Sequence, residues 1–179
     1  MHPTSNRSLT PNSTQKSEAQ TPLSLLKSGQ LLYLHPKSRG SLILQKKFYA
    51  DWVNAGAAVG GCFDLDCKAI YVLGEVNFCV PHTYDARATA FRQRITCIEC
   101  LQSILREPSS FRRAQLTISQ LSRGLGFAEI QQIPHESIAQ LAGIHPKTVQ
   151  MCWKNYAWVN PKKVVRNPSV EEIEPSLIV

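Results

Sequence analysis

The stretch IPHESIAQLAGIHPKTVQMCWKNY, residues 133–156, sets two short helical patterns on either side of one glycine. Where two helices cross steeply, close approach demands a small residue in the first, a glycine in a left-handed turn, and a branched apolar residue in the second. Counting His135 as the first position, Ala139 stands fifth, Gly143 ninth and Val149 fifteenth, with Ile138, Ala142, Ile144 and Cys152 at positions expected to be buried. Pro146 suits the first turn of the second helix, where its missing N–H would have no intrahelical partner anyway. If Val149, Cys152, Trp153 and Tyr156 face inward, then Lys147, Thr148, Gln150, Met151 and Lys154 face outward. In a DNA-reading helix-turn-helix that end of the second helix enters the major groove. The two amines would meet phosphate, while Thr148 and Gln150 would hydrogen-bond base edges or phosphate oxygens. A plain hairpin of core helices gives the same small–Gly–branched pattern, so the surroundings must decide.

Charge favours the DNA reading. The chain has 179 residues and a net charge of +7, with 43% hydrophobic and 18% charged residues, an ordinary globular composition with a basic bias. The bias is local: residues 111–166 hold eight Lys or Arg (Arg112, Arg113, Arg123, Lys147, Lys154, Lys162, Lys163, Arg166) against Glu129 and Glu136. After the second helix, AWVNPKKVVR reads as two short β runs around an Asn-Pro-Lys-Lys turn, a basic wing in which Lys162, Lys163 and Arg166 would touch DNA backbone.

Upstream, residues 1–22 are rich in Ser, Thr, Asn, Gln and Pro and are expected to be a disordered tail; residues 167–179 read as an acidic one. Residues 23–85 are expected to form a β-rich sensor or platform region, because QLLYLHP, GSLILQ, KAIYVLG and EVNFCV are short apolar or alternating runs bounded by turn residues. FYADWVNAGAAVGG, between them, is ambiguous. From Ala86 the period becomes helical, with Phe91, Ile95, Ile98, Leu101 and Leu105 on one face; residues 86–108 are expected to be a dimerisation helix. A further helix begins at residue 109 or 110, capped by Ser109 or Ser110, repeats apolar residues at Phe111, Ala114, Ile118, Leu121 and Leu125, and ends at Gly124 and Gly126. It opens the DNA-binding part, residues 109–166.

The order FRRAQLTISQLSRGLG, a short loop, IPHESIAQLAGIHPKTV and a basic wing resembles the C-terminal winged helix-turn-helix of the Crp/Fnr family of bacterial transcription regulators, over about residues 111–166. The resemblance implies a backbone or base contact for Thr148, a packing role for Val149, and dimerisation through a long helix before the DNA-binding part. This chain has Pro146, Lys147 and Met151 where that family often carries an Arg-Glu pair and a later Arg, so no operator sequence is implied. The family's N-terminal β-roll is about twice the length available here, and GEV at residues 74–76 lacks the following Arg-Ser of a cyclic-nucleotide cassette.

Other chemistry has less support. Cys62 and Cys67, Cys97 and Cys100, and Cys79 with His82 have spacings compatible with a zinc or iron-sulfur site, but Cys97 and Cys100 lie in an apolar helical pattern where Cys serves as a small hydrophobe. Asp64 and Asp66 read as a solvated loop, and His135 and His145 as polar helix-end residues. GxxxxGK[ST], HExxH and GxSxG are absent from the chain, and Cys79 with His82 is a poor candidate for a nucleophile–base pair. No run has the roughly 18–20 apolar residues of a membrane span.

The expectation is therefore an α+β protein with a small N-terminal β-rich region, an amphipathic helix and a C-terminal winged helix-turn-helix. It would be a cytoplasmic, homodimeric regulator of transcription that binds double-stranded DNA, without catalytic residues, cofactor or membrane association. The effector is open. The alternatives are a protein-interaction or adaptor module, and a metal- or redox-responsive sensor.

Overall fold

The computed structural model describes residues 21–124 and 127–156, a chain of mixed α and β structure. Of the expected tails at 1–22 and 167–179, residues 1–20 and 167–179 lie outside the described residues, as do the wing residues Lys162, Lys163 and Arg166. Thr21 and Pro22, expected to belong to the tail, instead form a helix start. Pro22 opens helix α1 (Pro22–Lys27), and the Thr21 hydroxyl caps it by accepting the Ser24 N–H at 3.3 Å, so a Thr-Pro pair that reads as tail is a helix start.

Six strands follow: β1 (Leu31–Leu34), β2 (Ser41–Gln45), β3 (Ala50–Val53), β4 (Ala58–Gly60), β5 (Ala69–Leu73) and β6 (Phe78–Cys79). The four apolar runs named above supply β1, β2, β5 and β6. The ambiguous stretch supplies β3 and β4, and a single 3₁₀ turn, Gly61–Phe63, follows. The strands form two antiparallel three-stranded sheets, in the orders β4-β1-β6 and β3-β2-β5. In the second sheet Ile43 stands opposite both Trp52 and Tyr71.

Helices α2 (Tyr84–Leu105), α3 (Ser110–Gly124), α4 (Phe127–Gln131), α5 (His135–Ala142) and α6 (Pro146–Tyr156) complete the order. Thr83 caps α2 by accepting the Ala86 N–H at 3.1 Å, and Ser109 caps α3 by accepting the Arg112 N–H at 3.3 Å. Among the described residues no helix is long and apolar enough to cross a membrane.

The β2 strand explains the layering. Its residues 41–44 are all buried, the mark of a strand covered on both faces rather than one. Leu42 and Leu44 point with Val53 into a core shared with Leu32, Leu34 and Val59 of the other sheet. Ile43 points with Ala50, Trp52 and Leu73 into a second core formed with Ile118, Leu121, Ile130, Ile138, Leu141 and Val149 of the helices. The β3-β2-β5 sheet is thus a central layer between the smaller sheet and the helices, and the Trp52 indole is fixed there by donating to the Ser41 hydroxyl at 3.0 Å.

Asp64 departs from its sequence reading. It is fully buried, not part of a solvated loop. Its Oδ1 lies 3.2 Å from Lys46 Nζ and 3.4 Å from Arg94 Nη2, and its Oδ2 accepts the Gly60 N–H at 2.9 Å. Lys46 also reaches Asp66 at 2.7 Å and the Phe63 carbonyl, and Arg94 reaches Asp51 at 2.7 Å. Burial opposes the Lys46 ammonium, but Asp66 and Asp64 outweigh it and hold the group above its ordinary value. The cluster ties the central sheet, the turn after β4 and the middle of α2 together.

Candidate nucleic-acid interface

Helix α5 is short and one-sided: Ile138, Ala139, Leu141 and Ala142 are buried, while His135 and Glu136 are exposed. It ends at Gly143, whose φ of 59° and ψ of 44° place it in the left-handed region. The Ile144 N–H then donates back to the Ala139 carbonyl at 3.0 Å. The left-handed conformation is what favours glycine here; a Cβ on Gly143 would also lie 3.3 Å from Leu105 Cδ2, a tight contact with the end of α2. Arg113, from α3, donates to the Gly143 carbonyl at 3.3 Å and to the Glu107 carbonyl at 3.0 Å, clamping the turn against the α2–α3 corner.

Helix α6 opens with Pro146 at its first position. His145 caps it: its carbonyl accepts the Thr148 N–H at 2.9 Å and its Nδ1 accepts the Lys147 N–H at 3.2 Å. Val149 and Cys152 are fully buried, Ile144 and Trp153 half-buried against the same core. Tyr156 has no described side-chain environment. Lys147, Gln150, Met151 and Lys154 are exposed, and Thr148 is half-buried. Met151 leaves 59% of its surface in solvent, an apolar side chain between an amide and two amines. Among the described residues α6 carries no acid, and α3 to α6 together hold five Lys or Arg against Glu129 and Glu136. This face can contact phosphate through its ammonium groups, hydrogen-bond through Gln150, and make an apolar contact through Met151.

The other candidate surface is α2. Its buried residues are Ala90, Arg94, Cys97 and Ile104. Phe91, Ile95, Ile98 and Leu105 instead stand 39%, 53%, 38% and 40% exposed, and Leu101 is half-buried. Tyr84, Ala88, Phe91, Ile95, Ile98, Gln102 and Leu105 follow one another at alternating intervals of four and three. That is the spacing of a two-helix seam; among the described residues Ile95 and Ile98 at its middle stand open to solvent, while Phe91 meets Phe63 edge to face and Leu105 lies beside Gly143.

Cysteines do not assemble. All six are free thiols, and among the described residues no group of three or more His, Cys, Asp or Glu converges as ligands for a metal ion. Burial raises the thiols of Cys67, Cys97 and Cys100 above their ordinary value and pushes Cys152 up to about 11. Those thiols stay protonated and unreactive at neutral pH. Alkylation of the native protein followed by peptide mass mapping is expected to label exposed Cys62 first, and Cys67, Cys97 and Cys152 only on unfolding. Early labelling of Cys152 would mean that α6 detaches readily from its core.

Sequence reading missed Arg113 as the clamp and the Asp64 cluster. Arg113 sits thirty residues from the carbonyl it holds, and no local pattern links positions that far apart. Comparison with protein families, characterised proteins and solved structures gives no match to this chain.

Proposed function

We propose that this protein is a sequence-specific DNA-binding regulator of transcription, built on a helix-turn-helix of the winged kind and acting as a homodimer. The observation that carries the reading is the two-sidedness of α6. Val149 and Cys152 lock one side into the core beyond a left-handed Gly143, while Lys147, Gln150, Met151 and Lys154 stand together on the other. In the major groove such a face would set Gln150 against a base edge, Met151 against a thymine methyl, and the two lysines against phosphates.

Selection from a random duplex library at near-physiological salt tests this directly. An enriched palindrome with half-sites about one helical turn apart is the expected result; retention without a motif would reduce the surface to non-specific binding, and no retention would refute the proposal. With the enriched duplex in hand, Lys147→Ala and Lys154→Ala are each expected to weaken every sequence alike and to lower the slope of log affinity against log salt by about 0.9. Gln150→Ala is expected to cost about 1–3 kcal/mol of discrimination at one base pair and to leave the slope unchanged. Fluorescence anisotropy across a salt series reads both. Unchanged binding in all three variants would remove α6 from the interface.

The seam on α2 supports the homodimer and, equally, an adaptor that receives a foreign helix. Light scattering distinguishes them: two chains per particle supports the regulator, one chain the adaptor.

A further inference from the structure

A groove of about 500 Å³ runs between β5 and the α4 region. Residues 70–74 form one wall, and Glu129, Gln132 and Ile133 form the other. Successive side chains of a strand point to opposite faces. Five consecutive residues therefore line one groove only if the wall is the strand's edge, its backbone N–H and C=O groups, and not one of its faces. The order β3-β2-β5 agrees, since β5 ends the sheet and pairs on one side alone among the described residues.

Edges of this kind are commonly guarded by proline, inward charge or a bulge. Residues 69–73, AIYVL, contain none of these residues, pair with β2 in unbroken register, and leave Val72 45% exposed. The edge is also anchored. Tyr71 and Leu73 pack into the core shared with the helices, and the Tyr71 hydroxyl donates to Gln45 Oε1 at 3.2 Å. Across the groove, Ile130 and Ile133 are buried and hold the opposite wall, with Glu129 and Gln132 exposed above them.

We propose that this groove binds an extended peptide segment of a partner protein, added as a fourth strand on β5. The partner segment alternates apolar and polar residues and carries a Lys or Arg opposite Glu129, the charged residue among those lining the groove. A strand of five residues spans about 17 Å, so four or five partner residues fill it. Small organic ligands are generally enclosed by largely apolar walls; a groove with one wall of backbone donors and acceptors suits a strand. The proposal does not depend on whether α6 reads DNA.

The test is selection of a phage-displayed library of random twelve-residue peptides on the full chain, followed by synthesis of an enriched peptide. Expected are an alternating apolar pattern with a basic residue and a loss of affinity of tenfold or more in Glu129→Lys. Backbone N-methylation of the peptide is expected to cost tenfold or more at every second residue only, because alternate N–H groups point at the strand edge. Amide hydrogen exchange should slow in residues 69–74 on binding and not in β3. Four results would overturn the proposal: no enriched peptide; binding indifferent to both Glu129→Lys and N-methylation; protection elsewhere; or residues 69–74 already protected without peptide. Dependence of that last protection on protein concentration would assign the edge to a second copy of the chain, and independence to a segment of the same chain. Glu129 is on the surface, so its replacement leaves the fold intact for the comparison.

Discussion

Replacing Asp64 by alanine is expected to destabilise the fold by about 1–3 kcal/mol, the cost of removing a buried acceptor shared by two cations and a backbone N–H, even though Lys46 keeps Asp66 and Arg94 keeps Asp51. Lys46 and Arg94 would both lose it, at 3% and 8% side-chain exposure, and Arg94 Nη1 is already buried without a hydrogen-bond partner among the described residues. The Gly60 N–H would lose its acceptor as well. That glycine sits at φ 76°, and a Cβ on it would come within 2.4 Å of the Gln30 carbonyl oxygen, so the turn Asp64 closes has no slack. Against a total stability of about 5–15 kcal/mol, the loss is large enough to read from urea denaturation followed by circular dichroism. An unchanged midpoint would mean that the cluster contributes no net stability.

Asp51 provides the contrast, because it is half-buried and its carboxylate accepts from Arg94 at 2.7 Å. Burial raises its carboxyl above the ordinary 3.8, with Arg94 and then Lys46 pulling in the opposite direction. A carboxyl raised on folding contributes stability that is complete below its unfolded value and is lost as pH rises through the raised one. Asp51→Asn abolishes that titration. The stability advantage of the natural protein over this variant is thus expected to be greatest in acid and to shrink toward neutrality. Asp66 has the opposite sign: held low by its hydrogen bond from Lys46, it contributes above 3.8 and loses that contribution as pH falls through its lowered value. An advantage over Asp51→Asn that grows with pH would show that the Arg94 contact outweighs burial at this site.

Local pattern made most elements legible, and distance in sequence hid what joins them. QLLYLHP, GSLILQ and KAIYVLG announce strands because apolar runs between turn residues have few other uses, and the Ala139, Gly143 and Val149 spacing announces a corner because sterics leave little choice. FYADWVNAGAAVGG is ambiguous for a physical reason: Trp52, Val53, Ala57, Ala58 and Val59 are all buried, so β3 and β4 show no alternation to read. Asp64 reads as solvated because its partners, Lys46 and Arg94, lie eighteen residues before and thirty after it, and a charge looks exposed until its counter-charges are in place. The candidate site was legible in its outward residues, which follow from the helical period alone. Its bracing by Arg113 was not, because that contact exists only once α3 is packed against the turn.

The second large effect is expected on α2: if the chains pair through this helix as proposed, Ile95→Glu should convert two-chain particles to single chains. Ile95 and Ile98 are adjacent, solvent-open steps of the seam. They supply apolar side chains at successive seam positions, and Gln102 would be the polar step that fixes register. About half of each Ile95 remains to be buried on pairing, so the two side chains together contribute about 2 kcal/mol at roughly 1 kcal/mol each. Their loss raises the dissociation constant by about thirtyfold, since each 1.4 kcal/mol is tenfold. The added carboxylate increases that penalty. Within one chain Ile95 is 53% exposed, so the variant should unfold within about 0.5 kcal/mol of the natural protein. A change in assembly without a change in stability is the signature of a seam, and light scattering with denaturation reads both. Affinity for a palindromic duplex should fall to that of its half-site. If Ile95→Glu remains a dimer, the chains pair elsewhere; if it unfolds, the stripe packs against its own protomer. The Arg94 bridges to Asp51 and Asp64 hold the adjoining, buried side of the same helix turn, so Asp51→Asn is expected to loosen the seating of α2, and with it the proposed pairing, while Ile95→Glu leaves the ionic cluster intact.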